Sequence, residues 1–221
     1  MQLDTYNASA LTPGDTFWGH EIQTRQTFLP GADGISIQTR MRFLDTPAGG
    51  LVGGFFTWGY DGTIRDEIDF ELLTNDLNAE SIFTNVYNNA TFNDFGDGAQ
   101  VGVPGFDMTE WNTYAINWLP DRIQWLVNGA QVREQIVTVA GNPSEVRINI
   151  WAPNEGFGLA YNGALQPATS ASNNQQYRLE IDYVQVSSVP LPPALLLFSS
   201  ALALLGWAGT RRAVSRSSSV D

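Results

Sequence analysis

Residues 35–43 read ISIQTRMRF, in which Ile35, Ile37, Met41 and Phe43 are set against Ser36, Gln38, Arg40 and Arg42. An apolar period of two turns one face of an extended strand to a core and the other to water. The same alternation recurs at 20–28, 51–58, 66–73, 82–88, 112–119, 122–127, 130–137, 145–152 and 176–187, with Gly, Pro, Asn and Asp in between. Asn128-Gly129 joins IQWLV to AQVRE, and a two-residue turn of positive φ suits that dipeptide and matches the twist of a hairpin. Many short strands with polar turns predict an all-β sandwich. No stretch before residue 190 keeps a helical period or repeats, so residues 1–188 read as one domain.

The chain has 221 residues, with 23 acidic side chains against 11 arginines and no lysine, a net charge of -12. The imbalance lies in the body: 22 of the acids and only eight of the arginines precede residue 190. A strongly basic nucleic-acid binder is excluded. Aromatic residues at 12% are enough to fill a core. The absence of Cys rules out disulfides, thiolate metal sites and cysteine nucleophiles. A single histidine, His20, argues against a histidine triad or a His-rich zinc site.

The chemistry concentrates in Asp66-Glu67-Ile68-Asp69-Phe70-Glu71-Leu72-Leu73. On a strand, Glu67, Asp69 and Glu71 share one face, and crowding them there costs electrostatic energy. A solvated edge or a divalent-cation site is the bland alternative. Against it, a solvated face mixes signs and a calcium loop carries Gly and Asn among its acids, whereas Ile68, Phe70 and Leu72 make a regular central strand. Retaining glycoside hydrolysis uses two carboxyl groups about 5–5.5 Å apart, one as nucleophile and one as acid/base. Two Glu at i and i+4 begin about 13 Å apart at Cα, so their side chains must lean together. Asp69 between them is expected to hold the nucleophile and raise the pKa of the acid/base.

This E-x-D-x-E strand resembles the signature of glycoside hydrolase family 16, and the likeness extends over about residues 17–187, through Gly19 to Thr24, Phe55 to Trp58, Thr84 to Tyr87, Ile123 to Gly129 and Asn149 to Trp151. It implies a concanavalin A-like jelly roll of two antiparallel sheets, with Glu67 as nucleophile, Glu71 as general acid/base and Asp69 as helper. The uninterrupted spacing resembles the lichenase and xyloglucan endotransglycosylase branch. By that resemblance Glu21, Asn85, Tyr87, Asn149 and Trp151 line the sugar cleft, and Trp58 with Tyr60 adds a platform. Asn85 and Tyr87 share a strand face, as do Asn149 and Trp151, although Trp151 also reads as a core residue, as do Trp118 and Trp125. Gln23 stands where lichenases carry an Arg. Asp182 matches a position that supplies a carboxylate to a structural Ca2+ in relatives; catalysis itself needs no cofactor.

The implied activity is a retaining endo-β-glucanase. The acidic body disfavours anionic polymers and points to a neutral glucan, mixed-linkage β-1,3-1,4-glucan first. A xyloglucan-type transglycosylase and a non-catalytic cell-surface lectin are the alternatives.

The tail, PLPPALLLFSSALALLGWAGTRR at 190–212, is of other material: Pro-rich, then apolar from Ala194 to Gly209, then Arg211, Arg212 and Arg216. Sixteen residues make about 24 Å of helix, a little short of the roughly 30 Å hydrocarbon core. A hydrophobic C-terminal helix in the membrane over 191–209 is the expectation, and a buried core helix the alternative. Residues 189–216 resemble a PEP-CTERM sorting signal, with Leu191 in place of the usual Glu. That implies an exosortase partner, export to the surface of a Gram-negative bacterium, and a mature protein lacking Trp207. Met1 to Ala10 shows neither basic nor apolar signal-peptide regions, which reads as a misplaced start or the loss of one or two strands, with an apolar sheet edge uncovered.

Overall fold

The computed structural model describes residues 1–44, 47–139 and 141–189. The expected C-terminal helix, the membrane contact at 191–209, Trp207 and the sorting motif from Pro190 onward lie outside the described residues.

Twelve antiparallel strands follow one another: β1 (Gln2–Asp4), β2 (His20–Gln23), β3 (Ile35–Leu44), β4 (Val52–Tyr60), β5 (Arg65–Leu73), β6 (Ser81–Ala90), β7 (Ala99–Gly102), β8 (Asn112–Trp118), β9 (Arg122–Val127), β10 (Ala130–Ile136), β11 (Glu145–Trp151) and β12 (Gln176–Ser188). They form two six-stranded sheets, ordered β1-β12-β3-β8-β9-β10 and β2-β11-β4-β5-β6-β7. Met1–Ser188 make one unit. The expected sandwich is therefore present, and its core lies between the sheets. From the first sheet Ile37, Met41, Phe43, Tyr114, Ile116, Trp118 and Trp125 point inward; from the second, Phe55, Ile68, Phe70, Leu72 and Ile148. Trp118 and Trp125 are core residues, 1% and 0% exposed.

The β9–β10 hairpin turns through Asn128 at φ 51° and Gly129 at φ 81°, the two positive angles that its sequence requires. The alternation expected at 51–58 and 82–88 is not seen, because β4 and β6 are buried on both faces over their first six residues, under the core on one side and the loops on the other; two further strands lie outside the expected set. β1 is three residues long and β7 is the small, half-exposed AQVG; neither is long enough to show a period. The stretch expected at 20–28 is ordered as a strand only over His20–Gln23, all four residues of which are exposed. At that edge Trp18 and Ile22 are 44% and 46% exposed.

In the second sheet β5 is central, with β4 on one side and β6 on the other. Its register places Trp58, Glu67 and Tyr87 in one row across the sheet, Phe56, Asp69 and Asn85 in the next, and Gly54, Glu71 and Phe83 in a third. Directly opposed residues point to the same face, so one outer face carries the whole triplet, while Ile68, Phe70 and Leu72 anchor the strand below. The β5–β6 ladder shifts register between Arg65 and Glu67. Asp66, 1% exposed, pins that bulge by accepting hydrogen bonds from the backbone N–H of Asn89 at 2.8 Å and of Asn142 at 3.2 Å.

Candidate active site

Over this face lies a cleft of about 610 Å³ lined by Arg65, Glu67, Asp69, Glu71, Asn85, Tyr87 and Trp151, together with Phe83, Phe95, Phe157 and Leu159. Its walls are two loops that fold back onto the sheet. The 91–98 loop is tied down by Asn85 Nδ2 donating to Phe95 O at 3.3 Å and by Asp97 N donating to Val86 O at 2.9 Å. Gly96 makes this approach possible: at φ 68° a Cβ would sit 2.6 Å from Asn85 Oδ1, so only glycine fits. Opposite, Asn75 Nδ2 donates to Leu159 O and to Tyr161 O, both at 3.0 Å, holding the 152–160 segment. There Trp151 stacks on Phe157 at 6.3 Å and Phe157 meets Phe83 edge-on at 5.7 Å. Trp151 thus answers to both of its expected roles, since it packs on a small satellite core and lines the cleft.

The three carboxyl groups are buried together and do not ionise alike. Burial, reinforced by the negative charge of Glu67, pushes Glu71 up to about 8, so it carries its proton at neutral pH. Asp69 is held well above the usual carboxylate range by burial, then by the charges of Glu67 and Glu71, and by its hydrogen bond to Glu67. That bond lowers Glu67 while raising Asp69, so the proton sits on Asp69 and the carboxylate on Glu67. Glu67 too is raised on balance by burial, with Arg65, the bond from Asp69 and Arg147 opposing the rise. Asp69 and Glu71 act on each other as expected of neighbours on one strand face, and the mutual repulsion helps to hold Asp69 up. Asp69 acts as a neutral donor to the nucleophile position. Trp125, from the other sheet, supports the strand here by donating Nε1–H to Asp69 O at 2.9 Å through the core.

The structure moves several expected sugar contacts. Tyr87 lines the cleft as expected, and one face of its ring is covered by the Arg65 guanidinium at 3.7 Å from the centroid. Trp58, Glu21 and Asn149 flank the cleft without lining it. Trp58 sits between Arg65 and Arg147, 5.8 and 5.3 Å from its ring, and packs against Tyr60 and Phe92. Glu21 is engaged by Arg147 Nη1 at 3.1 Å and Asn149 Nδ2 at 3.3 Å. Asn149 Oδ1 is buried with no hydrogen-bond partner among the described residues, and lies where a Cβ on Gly54 would come within 2.5 Å of it. Arg147 stands opposite Gln23 in the β11–β2 ladder and brings a guanidinium to that row. Sequence reading missed Arg65, although its position two before Glu67 puts it on the same strand face. Arg147 and the loop residues Phe95, Phe157 and Leu159 carried no comparable signal.

Asp182, the carboxylate expected to serve a structural Ca2+, is paired with an arginine. It is the extra residue where the β12–β3 register shifts between Ile181 and Tyr183, and its carboxylate takes Arg40 Nη1 at 2.8 Å. A cation would have to displace that guanidinium, and among the described residues no group of three or more His, Asp or Glu converges on any point.

The sandwich and its cleft can be set beside proteins that are already known. A β-glucanase of Brevibacillus brevis is 36% identical over 107 residues, 46% of this chain and 39% of that protein. The β-glucanase of Bacillus licheniformis is 33% identical over 105 residues, 46% of this chain and 41% of that one. The chain thus matches about two-fifths of the length of these relatives. Among solved structures, a prokaryotic β-1,3-1,4-glucanase (lichenase) from a mouse hindgut metagenome superposes with a TM-score of 0.63 at 26% identity, over 85% of this chain and 78% of that one. The sequence profile of glycosyl hydrolases family 16 matches residues 2–185, nearly the whole of the sandwich that builds the cleft, and the chain belongs to that family.

Proposed function

We propose that the chain is a retaining endo-β-glucanase acting on a neutral β-glucan, with mixed-linkage β-1,3-1,4-glucan as the first candidate. The observation that carries this is the placement of Glu67 and Glu71 on one face of β5 inside one cleft, with an arginine, Arg65, 3.1 Å from Glu67, since double displacement needs an ionised nucleophile and a protonated acid in the same cleft. In the first step Glu67 attacks the anomeric carbon while Glu71 gives its proton to the departing glycosidic oxygen. The bond to the leaving sugar breaks as a glycosyl ester forms on Glu67. Glu71, now ionised, then takes a proton from water; the hydroxide adds to the anomeric carbon, and Glu67 leaves as carboxylate. Asp69 keeps its proton throughout and steadies the Glu67 oxygen by hydrogen bonding. No cofactor enters this chemistry, and calcium at Asp182 forms no part of the reading.

Trp151, which lines the cleft, suits the apolar face of a sugar ring. The linkage preference rests on the lichenase and β-glucanase relatives and on the acidic body, which repels anionic polymers. Export and attachment at the cell surface rest on the tail sequence. The test is reducing-end release by the full chain from barley β-glucan, laminarin, xyloglucan and agarose, with the anomer of the first product followed by NMR. The expected result is release from barley β-glucan with retained configuration, abolished in Glu67→Gln with the fold intact. Undiminished turnover in that variant sinks the mechanism, and product formed only with an added oligosaccharide acceptor makes the protein a transglycosylase.

A further inference from the structure

Among the described residues Arg65 is the one arginine lining the cleft, and its surroundings are built to hold a cation in place. The guanidinium lies 3.7 Å from the Tyr87 centroid, 5.5 Å from that of Phe92 and 5.8 Å from that of Trp58. Rings on three sides restrict it and strengthen its charge by excluding water. Its side chain is only 13% exposed, as is that of Glu67, and Nη1 stands 3.1 Å from Glu67 Oε2. Nη2 reaches Asp94 O of the 91–98 loop at 3.4 Å, while Nε has no hydrogen-bond partner among the described residues. A buried guanidinium with an unsatisfied N–H costs stability, and nothing in the core packing explains why it is there.

We propose that Arg65 is a positioning residue for the reaction: caged by Tyr87, Phe92 and Trp58, it aims and charges Glu67, so that this carboxyl and not Glu71 becomes the nucleophile. This inference rests on the glucanase reading above. The cage assigns the aromatic cluster at that end of the cleft a task other than stacking on sugars. Two carboxyl groups buried on one strand face need an asymmetry to ionise differently, and the nearest fixed positive charge supplies it.

Glu67 is faced by Arg65, Asp69 and Glu71 on its own strand, by Tyr87 on β6, and from β11 by Arg147, itself paired with Glu145 and with Glu21 of β2. Of these, Arg65 and Arg147 hold positive charge, and Arg147 is already shared between two other carboxylates. Removal of Arg65 is therefore expected to act on Glu67 more than removal of any other cation.

The experiment compares the full-length wild type, Arg65→Met and Arg65→Lys in two readouts. One is the 13C titration of the Glu67 carboxyl, assigned by the signal missing in Glu67→Gln. The other is the pH profile of kcat/KM on barley β-glucan. In Arg65→Met the Glu67 titration and the acidic limb of the profile should both move up by about one pH unit, kcat should fall about tenfold or more with KM little changed, and Arg65→Lys should restore most of both. A Glu67 titration that stays in place in folded Arg65→Met overturns the proposal. So does a raised KM with unchanged kcat, which would make Arg65 a sugar contact. Wild type that cleaves none of the polymers tested counts against the glucanase reading, while the titration still decides what Arg65 does to Glu67.

Discussion

The two sheets close on one shared core, yet their outer faces treat charge in different ways. On the sheet that holds β3 and β12, Arg40 meets Asp182 at 2.8 Å, Arg42 meets Glu180 at 2.9 Å, and Arg122 meets Asp121 at 2.8 Å, each side chain at least 27% exposed. On the other sheet Glu67, Asp69 and Glu71 stand on one strand with Asp69 4% exposed, and Arg65 is the only guanidinium in ion-pair range of any of them among the described residues. The first face neutralises itself where water already screens it, so little energy is gained or lost. The second gathers like charges where burial magnifies their repulsion. A fold gains no stability from such a cluster, and its retention beside a cleft points to chemistry rather than to packing.

The largest break in that contrast should come from Glu71→Gln. Loss of a general acid removes about 10²–10⁴ of rate, so kcat on barley β-glucan should fall by that factor. The basic limb of the pH profile, which reports Glu71 losing its proton as pH rises through about 8, should disappear with it. Stability should move the other way. The folded protein binds the Glu71 proton more tightly than the unfolded chain, so this group's contribution is full below about pH 4.5 and is lost as pH rises through about 8. Glutamine, always neutral, escapes that loss. The variant should therefore match wild type in urea unfolding at pH 4.5 and exceed it by about 1–3 kcal/mol at pH 8; equal stability at both would mean that the cluster is not strained.

A second, smaller effect tests whether the core beneath the cleft is as ordinary as its composition. Trp125 is fully buried and belongs to the quiet sheet, but its Nε1–H reaches across the sandwich to the backbone of Asp69. Trp125→Phe keeps an aromatic ring and removes that donor, and should cost about 1–3 kcal/mol in urea unfolding. If the bond also fixes the triplet, kcat should fall in the folded variant while KM stays. Stability lost without any change in kcat would limit the bond to packing.

Much of this was legible in the residues. The alternation of β3, the Asn128-Gly129 turn and the E-x-D-x-E spacing each encode a local geometry, and each element formed where that geometry required. β1 and β7 were not legible because three or four residues cannot display a period. The cleft walls at 91–98 and 152–160 were hidden for a related reason: each is a segment with two glycines, held by individual hydrogen bonds, with no periodic pattern. Arg65 could have been found from its parity with Glu67, whereas Arg147 became visible only once the β11–β4–β5 register placed it near the triplet. The role of Asp69 depended on burial and on which oxygen carries the proton, and neither can be read from spacing.

The smallest expected effect lies on the quiet face. Asp182 and Arg40, with side chains 48% and 39% exposed, form a pair that water screens, so a double-mutant cycle through Arg40→Met and Asp182→Asn should return a coupling under about 1 kcal/mol. A structural cation at Asp182 would change that outcome in a recognisable way. Asp182→Asn would then cost far more than Arg40→Met, and excess chelator would lower the melting temperature of wild type but not of Asp182→Asn. With the guanidinium occupying the carboxylate, chelator should leave both unchanged. The same measurement therefore decides whether this face is only a neutralised surface or holds a second site.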